Sequence, residues 1–248
     1  MTLISRKFFL RRSKMLGFLD EIEQTLGPHA ISVYMPPGLS APEIEDVLQK
    51  SGAQPVPDEL SQLASSSKTG AVLFGGDMRK CLVLPPFPLS EQTTFGGYIA
   101  EPFRLLLTID FMIGLVLIHL GSYAIGICQG EQLVSSKVGT GLVHGRHKKG
   151  GSSQQRFQRR RENQVREFLD RVCLHTREQI EPHAKLVNYF AYGGPRQTVL
   201  LLQKRCPFLQ SFEDRVLPLL DMPSPRQRVL ETAMGRIWSS CIIDWQEE

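Results

Sequence analysis

The sequence predicts an α/β protein of two domains, residues 1–90 and 91–248. Three observations lead there. Strand-like and helix-like patterns alternate along the whole chain. A proline-rich segment, "LPPFPLS" (84–90), separates two textures. Beyond it, a run of apolar strands ends in a glycine-rich loop followed by a long amphipathic segment. At 248 residues, 42% of them hydrophobic, the chain can bury two cores.

Apolar spacing over residues 14–27 (Met15, Leu16, Leu19, Ile22, Leu26) predicts a helix. "AISVYM" (30–35) predicts a strand closed by Pro36-Pro37-Gly38. Ser40 and Glu43 have capping-box spacing for a second helix, and residues 57–67 read as a third. "TGAVLF" and "KCLVLP" form a predicted hairpin turning at 75–78, and 84–90 reads as a linker. From about residue 99, "RLLLTID", "IGLVLIHL", "SYAIGICQG" and "EQLVSSKVG" predict a β-meander.

A long helix is predicted over 154–176, with Phe157, Val165, Phe168, Leu169 and Val172 on one face and Arg159, Arg160 and Arg166 mainly off it. "KLVNYFAY" (185–192) predicts a strand, and Pro195 marks a helix start. "VLPLLDM" (216–222) reads as a final strand. Ser224 with Pro225 is expected to open a last helix through Trp238.

Composition narrows the function classes. The five cysteines, at 81, 128, 173, 206 and 241, are odd in number and form no CxxC pair. This disfavours a disulfide framework or structural zinc and favours a reducing compartment. The longest apolar stretch, 105–120, is broken by Asp110 and fits buried strands better than a membrane span. Arg6, Lys7, Arg11, Arg12 and Lys14, with no acid among the first nineteen residues, fit the basic face of a helix or a transit peptide. Phe8-Phe9-Leu10 is too short for a secretory core, and a cytoplasmic protein is expected. No P-loop motif is present.

The charge distribution is more telling. Residues 144–171 hold nine Lys or Arg against three acids, a surplus of six, more than the net +4 of the whole chain. Such concentration points to a polyanion, most commonly nucleic acid, although a solvated helix face is the ordinary reading of a basic helix. The preceding loop holds Gly139, Gly141, Gly145, Gly150 and Gly151, more glycine than a strand-to-helix connection needs. The reading is a mobile tip able to approach another surface closely, with Ser152 or Ser153 capping the helix. Arg146, His147, Lys148 and Lys149 before the tip, and Arg156, Arg159, Arg160 and Arg161 after it, are the candidate RNA-binding residues.

"GRHKKGGSSQQRFQRRREN" (145–163) resembles the catalytic loop and following helix of the archaeal and eukaryotic class I release factors. In those factors a Gly-Gly-Gln tip precedes a helix with an Arg-Phe step. The strands upstream and "KLVNYFAYGGPRQTVLLLQ" downstream extend the resemblance over about residues 95–245, and "ISVYMPPG" is reminiscent of their first domain. Here Ser152 follows Gly150-Gly151, and Gly151-Ser152-Ser153-Gln154 matches the GxxQ pattern of the Vms-type release factors. The resemblance implies a mixed-sheet, RNase H-like middle-domain fold for the C-terminal domain. It also implies a compact prokaryotic peptidyl-tRNA hydrolase acting on stalled large ribosomal subunits, with peptidyl-tRNA and ribosomal RNA as partners and no membrane. No counterpart of the stop-codon-reading loop is found and a third domain is missing, which favours rescue over codon-directed termination.

On this reading Gln154 acts, with Gln155 as the alternative, and Gly150 and Gly151 give access. A neutral amide both donates and accepts hydrogen bonds, so it can orient water against an ester without a strong base, a metal or a cofactor. Two rival readings are a non-catalytic RNA-binding module on the same scaffold and a metal-dependent RNA endonuclease. The second would need clustered carboxylates, for which Asp110, Asp214, Asp221 and Asp244 are the candidates. His144 and His147 have H-x-x-H spacing without a nearby third ligand and read as surface or RNA-facing. Cys173 and His175 are too close in sequence for a dyad, and Cys173 reads as core.

Overall fold

The computed structural model describes residues 4–53, 56–77, 79–145 and 153–246. In chain order the elements are β1 (Ile4–Leu10), α1 (Arg12–Thr25), β2 (Ile31–Met35), α2 (Ala41–Lys50), α3 (Asp58–Ser66), β3 (Ala71–Gly75), β4 (Lys80–Leu84), β5 (Thr93–Gly96) and α4 (Glu101–Thr108). They continue with β6 (Met112–His119), β7 (Ser122–Gln129), β8 (Gln132–Thr140), α5 (Ser153–Ile180), β9 (Tyr189–Gly193), α6 (Arg196–Arg205), α7 (Gln227–Ile237) and β10 (Ser240–Gln246). Two compact units result: residues 1–109 with 238–248, and residues 110–237.

The first unit is an antiparallel sheet in the order β1-β10-β4-β3-β2-β5. Successive strand residues point to opposite faces, and both faces are covered, so β3 is buried along its whole length. Val72 and Phe74 pack with Phe18, Leu19 and Ile22 of α1 and Phe103 and Leu107 of α4. Ala71 and Leu73 pack with Ile44 and Leu48 of α2 and Leu60 and Ala64 of α3. The capping box on α2 forms as its spacing requires: the Ser40 backbone N–H donates to Glu43 at 2.7 Å, and the Ser40 side chain accepts from the Glu43 N–H. The Ser40 hydroxyl, which donates to the Glu43 carboxylate at 2.6 Å, and then the Ser40 backbone N–H hold the Glu43 carboxyl below its usual range.

Several expectations change here. Residues 104–108 of "RLLLTID" lie in helix α4, not in a strand: Glu101 and Pro102 open it, and Phe103 and Leu107 bury at i, i+4 spacing. "LPPFPLS" is no linker. Phe87 is fully buried and meets Trp238 edge-on at 4.6 Å between ring centroids. The basic N-terminal stretch includes strand β1, which pairs with β10 from the far end of the chain. The division between units therefore follows Ile109 rather than residue 90, because α4, Phe87 and β10 all belong to the first unit.

The second unit is a mixed sheet in the order β8-β7-β6-β9. β6, β7 and β8 run antiparallel in sequence, and β9 joins β6 in parallel, from Ile113 opposite Tyr189 to Leu117 opposite Gly193. One face, with Val116, Ile118, Tyr123, Ile125 and Ile127, packs against Phe168, Leu169 and Val172 of α5 and Val199 and Leu202 of α6. Gly126 faces the other way, and a Cβ there would press on Leu133 and Leu230, the latter on α7. Residues 216–222 make only isolated parallel bridges, Val216 with Phe190 and Leu220 with Gly193, rather than a strand. Helix α7 begins at Gln227, three residues after Ser224. No helix of the described residues is long and apolar enough to cross a membrane.

Two glycines test this packing in opposite directions. Gly194, at φ 113°, turns the chain after β9, and a Cβ would collide with the Ile118 carbonyl oxygen. Gly194→Ala is expected to lower unfolding stability by roughly 2–4 kcal/mol in urea titration. Gly17 lies inside α1 with nothing within 4 Å of an added Cβ, and Gly17→Ala should raise stability, by roughly 0.5–1 kcal/mol in the same titration.

Candidate active site

The candidate site begins at the edge of the mixed sheet. β8 pairs with β7 up to Thr140 opposite Ser122, and the Gly141 N–H then donates to the Gly121 carbonyl at 3.0 Å. Gly139 lies against the Tyr123 phenol, and a Cβ on Gly141 would sit 2.6 Å from the Phe168 ring. Neither glycine has a positive φ. Both admit aromatic rings of the core against the backbone, a packing role in place of the mobility expected from their spacing. Gly145 differs, with open space around it.

Beyond Thr140, α5 holds the loop. Arg171 donates to the Thr140 carbonyl at 3.3 Å. The His144 N–H donates to Gln164 Oε1 at 3.2 Å, and Arg161 Nε donates to the His144 carbonyl at 3.0 Å. Val143 packs against the core cluster. Residues 146–152, with Arg146, His147, Lys148, Lys149, Gly150, Gly151 and the capping candidate Ser152, lie outside the described residues. Gln154 is the second residue of α5, in a first turn whose backbone N–H groups carry partial positive charge. Gln155 follows it and is exposed.

The head of α5 differs from its body. Residues 155–160 are exposed on every side of the helix, and burial becomes periodic only later, with Phe168, Leu169, Val172, Thr176 and Ile180. Phe157, expected on the buried face, is 54% exposed. At about 100° per residue, Arg156, Arg159 and Arg160 share an arc of roughly 100° on one side. None of the three has a hydrogen bond or ion pair among the described residues, whereas Arg161 is engaged with His144.

The body of α5 is fastened at several points. Asp170 receives a bidentate bond from Arg205 at 2.5 and 2.8 Å, which holds its carboxyl below the usual range. Cys173 is bonded to Cys206, a pair that a separation of 33 residues conceals from any local spacing rule. Tyr123, buried and with its phenol pushed up by burial, hydrogen-bonds His175 Nδ1. Sequence reasoning missed these fastenings, together with Gln164 and Arg171. Only the alternation that buries Tyr123, Ile125 and Ile127 on one face of β7 hinted at Tyr123.

The other candidates are dispersed. Asp244 pairs with Arg79 at 2.8 Å in the first unit, whereas Asp110, Asp214 and Asp221 belong to the second. Asp214 is bonded to the adjacent Arg215, and the Asp221 carbonyl accepts from Arg236. No group of three or more potential metal ligands occurs among the described residues. His147 lies outside them, and His144 uses its backbone. The remaining cysteines, Cys81, Cys128 and Cys241, are buried thiols, and burial pushes Cys128 up to about 12.

Comparison with known proteins matches this region. The profile of the Actinobacteria/chloroflexi VLRF1 release factor family covers residues 112–242, from β6 through part of β10. Peptide chain release factor subunit 1 of Aeropyrum pernix is 25% identical over 197 residues, 68% of this chain and 53% of that protein. The Archaeoglobus fulgidus protein of the same name is 22% identical over 210 residues, 73% of this chain and 52% of that one. The chain thus spans about half the length of the curated relatives it matches. The crystal structure of archaeal translation termination factor aRF1 aligns over 92% of this chain and 73% of that one, at 15% identity and a TM-score of 0.40. With more than half its residues matched by the family profile, the chain belongs to the Actinobacteria/chloroflexi VLRF1 release factor family.

Proposed function

We propose that the protein is a peptidyl-tRNA hydrolase of release-factor type that frees nascent chains from stalled large ribosomal subunits. The observation that carries this reading is the head of α5. It carries Gln154 in its first turn and follows a loop whose base is bonded to the same helix. It presents Arg156, Arg159 and Arg160 exposed and unpaired among the described residues. Membership of a release-factor family supports reading that arrangement as hydrolytic.

The reaction forms one C–O bond and breaks another. Water attacks the ester carbonyl carbon, the carbonyl electrons move onto oxygen, and collapse expels the 3′ ribose oxygen of the tRNA. The attacking water's proton ends on that leaving oxygen. The Gln154 side-chain carbonyl would accept a hydrogen bond from the water and its amide N–H would donate one, which fixes the angle of attack. Backbone N–H groups at the helix start would face the developing oxyanion. Gly150 and Gly151 would allow close approach to RNA. Lys148, Lys149 and Arg146 on one side, and the three exposed arginines on the other, would hold phosphate. Ribosomal RNA and the tRNA ribose would supply the remaining wall of the site.

The test is single-turnover release of a labelled nascent chain from purified large subunits carrying peptidyl-tRNA, with subunit binding measured in parallel. Gln154→Ala is expected to bind normally and release about 100-fold more slowly, the scale of losing one positioned donor. Gln155→Ala should stay within about threefold of the wild type, since losing an idle surface side chain costs little. Equal binding with no release by any protein, wild type included, would leave a binding module in place of an enzyme. Replacing Arg156, Arg159 and Arg160 together by Ala should weaken subunit binding and flatten its salt dependence by about 0.7–0.9 log units per log unit of salt for each phosphate no longer neutralised.

A further inference from the structure

We infer that Arg161 and Gln164 are positioning residues. Together they grip the N–H and the carbonyl of His144 and make the loop base, residues 140–144, a fixed stalk on α5. The kinetic part of this inference rests on the hydrolase reading above.

Position in the arginine-rich run suggests that Arg161 is one more phosphate contact. Its geometry says otherwise. Arg161 and Gln164 are one helical turn apart and bond the two polar ends of a single residue, the carbonyl and the N–H of His144. An exposed loop residue can leave both groups to water, so double satisfaction by side chains of one helix is a specific arrangement. The carbonyl bond is charge-assisted, the stronger class. Next door, Val143 packs against the core cluster, and Arg171 takes the Thr140 carbonyl. The loop base is thus tied at residues 140, 143 and 144, each time to the unit that carries α5. Immediately afterwards, Gly145 stands in open space. The sharp change between His144 and Gly145 marks where the stalk ends. Arg156, Arg159 and Arg160, unpaired among the described residues, are the cations left for a polyanion.

Arg161→Met and Gln164→Met remove each bond at similar side-chain length, and Gln164→Glu keeps an acceptor for the His144 N–H. Thermal melts confirm folding, and amide-resolved hydrogen exchange on the free protein reads the grip directly. Exchange at His144 should quicken about five- to tenfold in Gln164→Met, the factor of one net hydrogen bond, and return toward wild type in Gln164→Glu. On peptidyl-tRNA-bearing subunits, Arg161→Met should keep the wild-type affinity and salt slope while release slows about 10- to 100-fold, the scale of a misplaced reacting group. Unchanged exchange in Gln164→Met, or a salt slope lowered by Arg161→Met, overturns the inference. If the wild type releases no chain, the hydrolase reading fails, and the exchange result alone decides the grip.

Discussion

The burial of Phe168, Leu169 and Val172 under the mixed sheet is the constraint on which the rest of the second unit depends. These three side chains have almost no exposure, and each contributes about 1.5–3 kcal/mol as an upper bound. They fix a helix of 28 residues, roughly 42 Å at ~1.5 Å per residue. Residues 155–160, in its head, bury nothing. An isolated segment of that kind would be marginal in water, but the anchored body already contains the costly nucleus. Propagation into the head then needs only good helix formers, which the Gln and Arg of 154–161 supply. Their mutual repulsion costs a few tenths of a kcal/mol per pair, offset in part by the Gln158–Glu162 bond at 2.9 Å. The packing of one half of α5 thus permits the charge density of the other.

The same helix disciplines the chain that leads into it. β8 is an edge strand, so nothing within the sheet holds its far side. What holds its end is α5: the Phe168 ring seated on Gly141, Arg171 on the Thr140 carbonyl, and Arg161 with Gln164 on His144. Glycines at 139 and 141 make this approach close enough to matter. A side chain at either position would push the loop base off the core, so they lower the freedom of the loop where a count of glycines suggests they raise it.

This contrast explains which parts of the molecule were legible in the sequence. Local rules succeeded where the causes were local: the Ser40–Glu43 box, the β3–β4 hairpin, the strands β6 to β8 and the long helix. Failures gathered where partners come from far along the chain. β1 carries Arg6 and Lys7 and shows no apolar alternation, yet β10 pairs with it from 230 or more residues away. Phe87 sits among prolines that read as a linker, yet Trp238 covers it. "RLLLTID" is a short apolar run whose helix and strand readings cannot be told apart by period alone. In the site, charge type was legible but direction was not. The four arginines from 156 to 161 look alike as a composition, whereas helix geometry turns Arg161 toward the loop and leaves the other three on another side.

Direction also decides what such a surface can do. An arginine on a free coil must lose much of its side-chain and backbone freedom to meet a phosphate. Three arginines on one arc of an anchored helix have already lost the backbone share, so more of each contact is retained as binding. On the proposed function, Gln154 at the start of that helix would gain in the same way, because its backbone is tied through continuous hydrogen bonds to a core fastened by Asp170–Arg205, Cys173–Cys206 and Tyr123–His175. Fastening the body of α5 and tying the loop base to it are therefore two parts of one arrangement. The first sets where the head stands, and the second sets where the loop leaves it. A site assembled from both the loop and the first turn of the helix requires the two together.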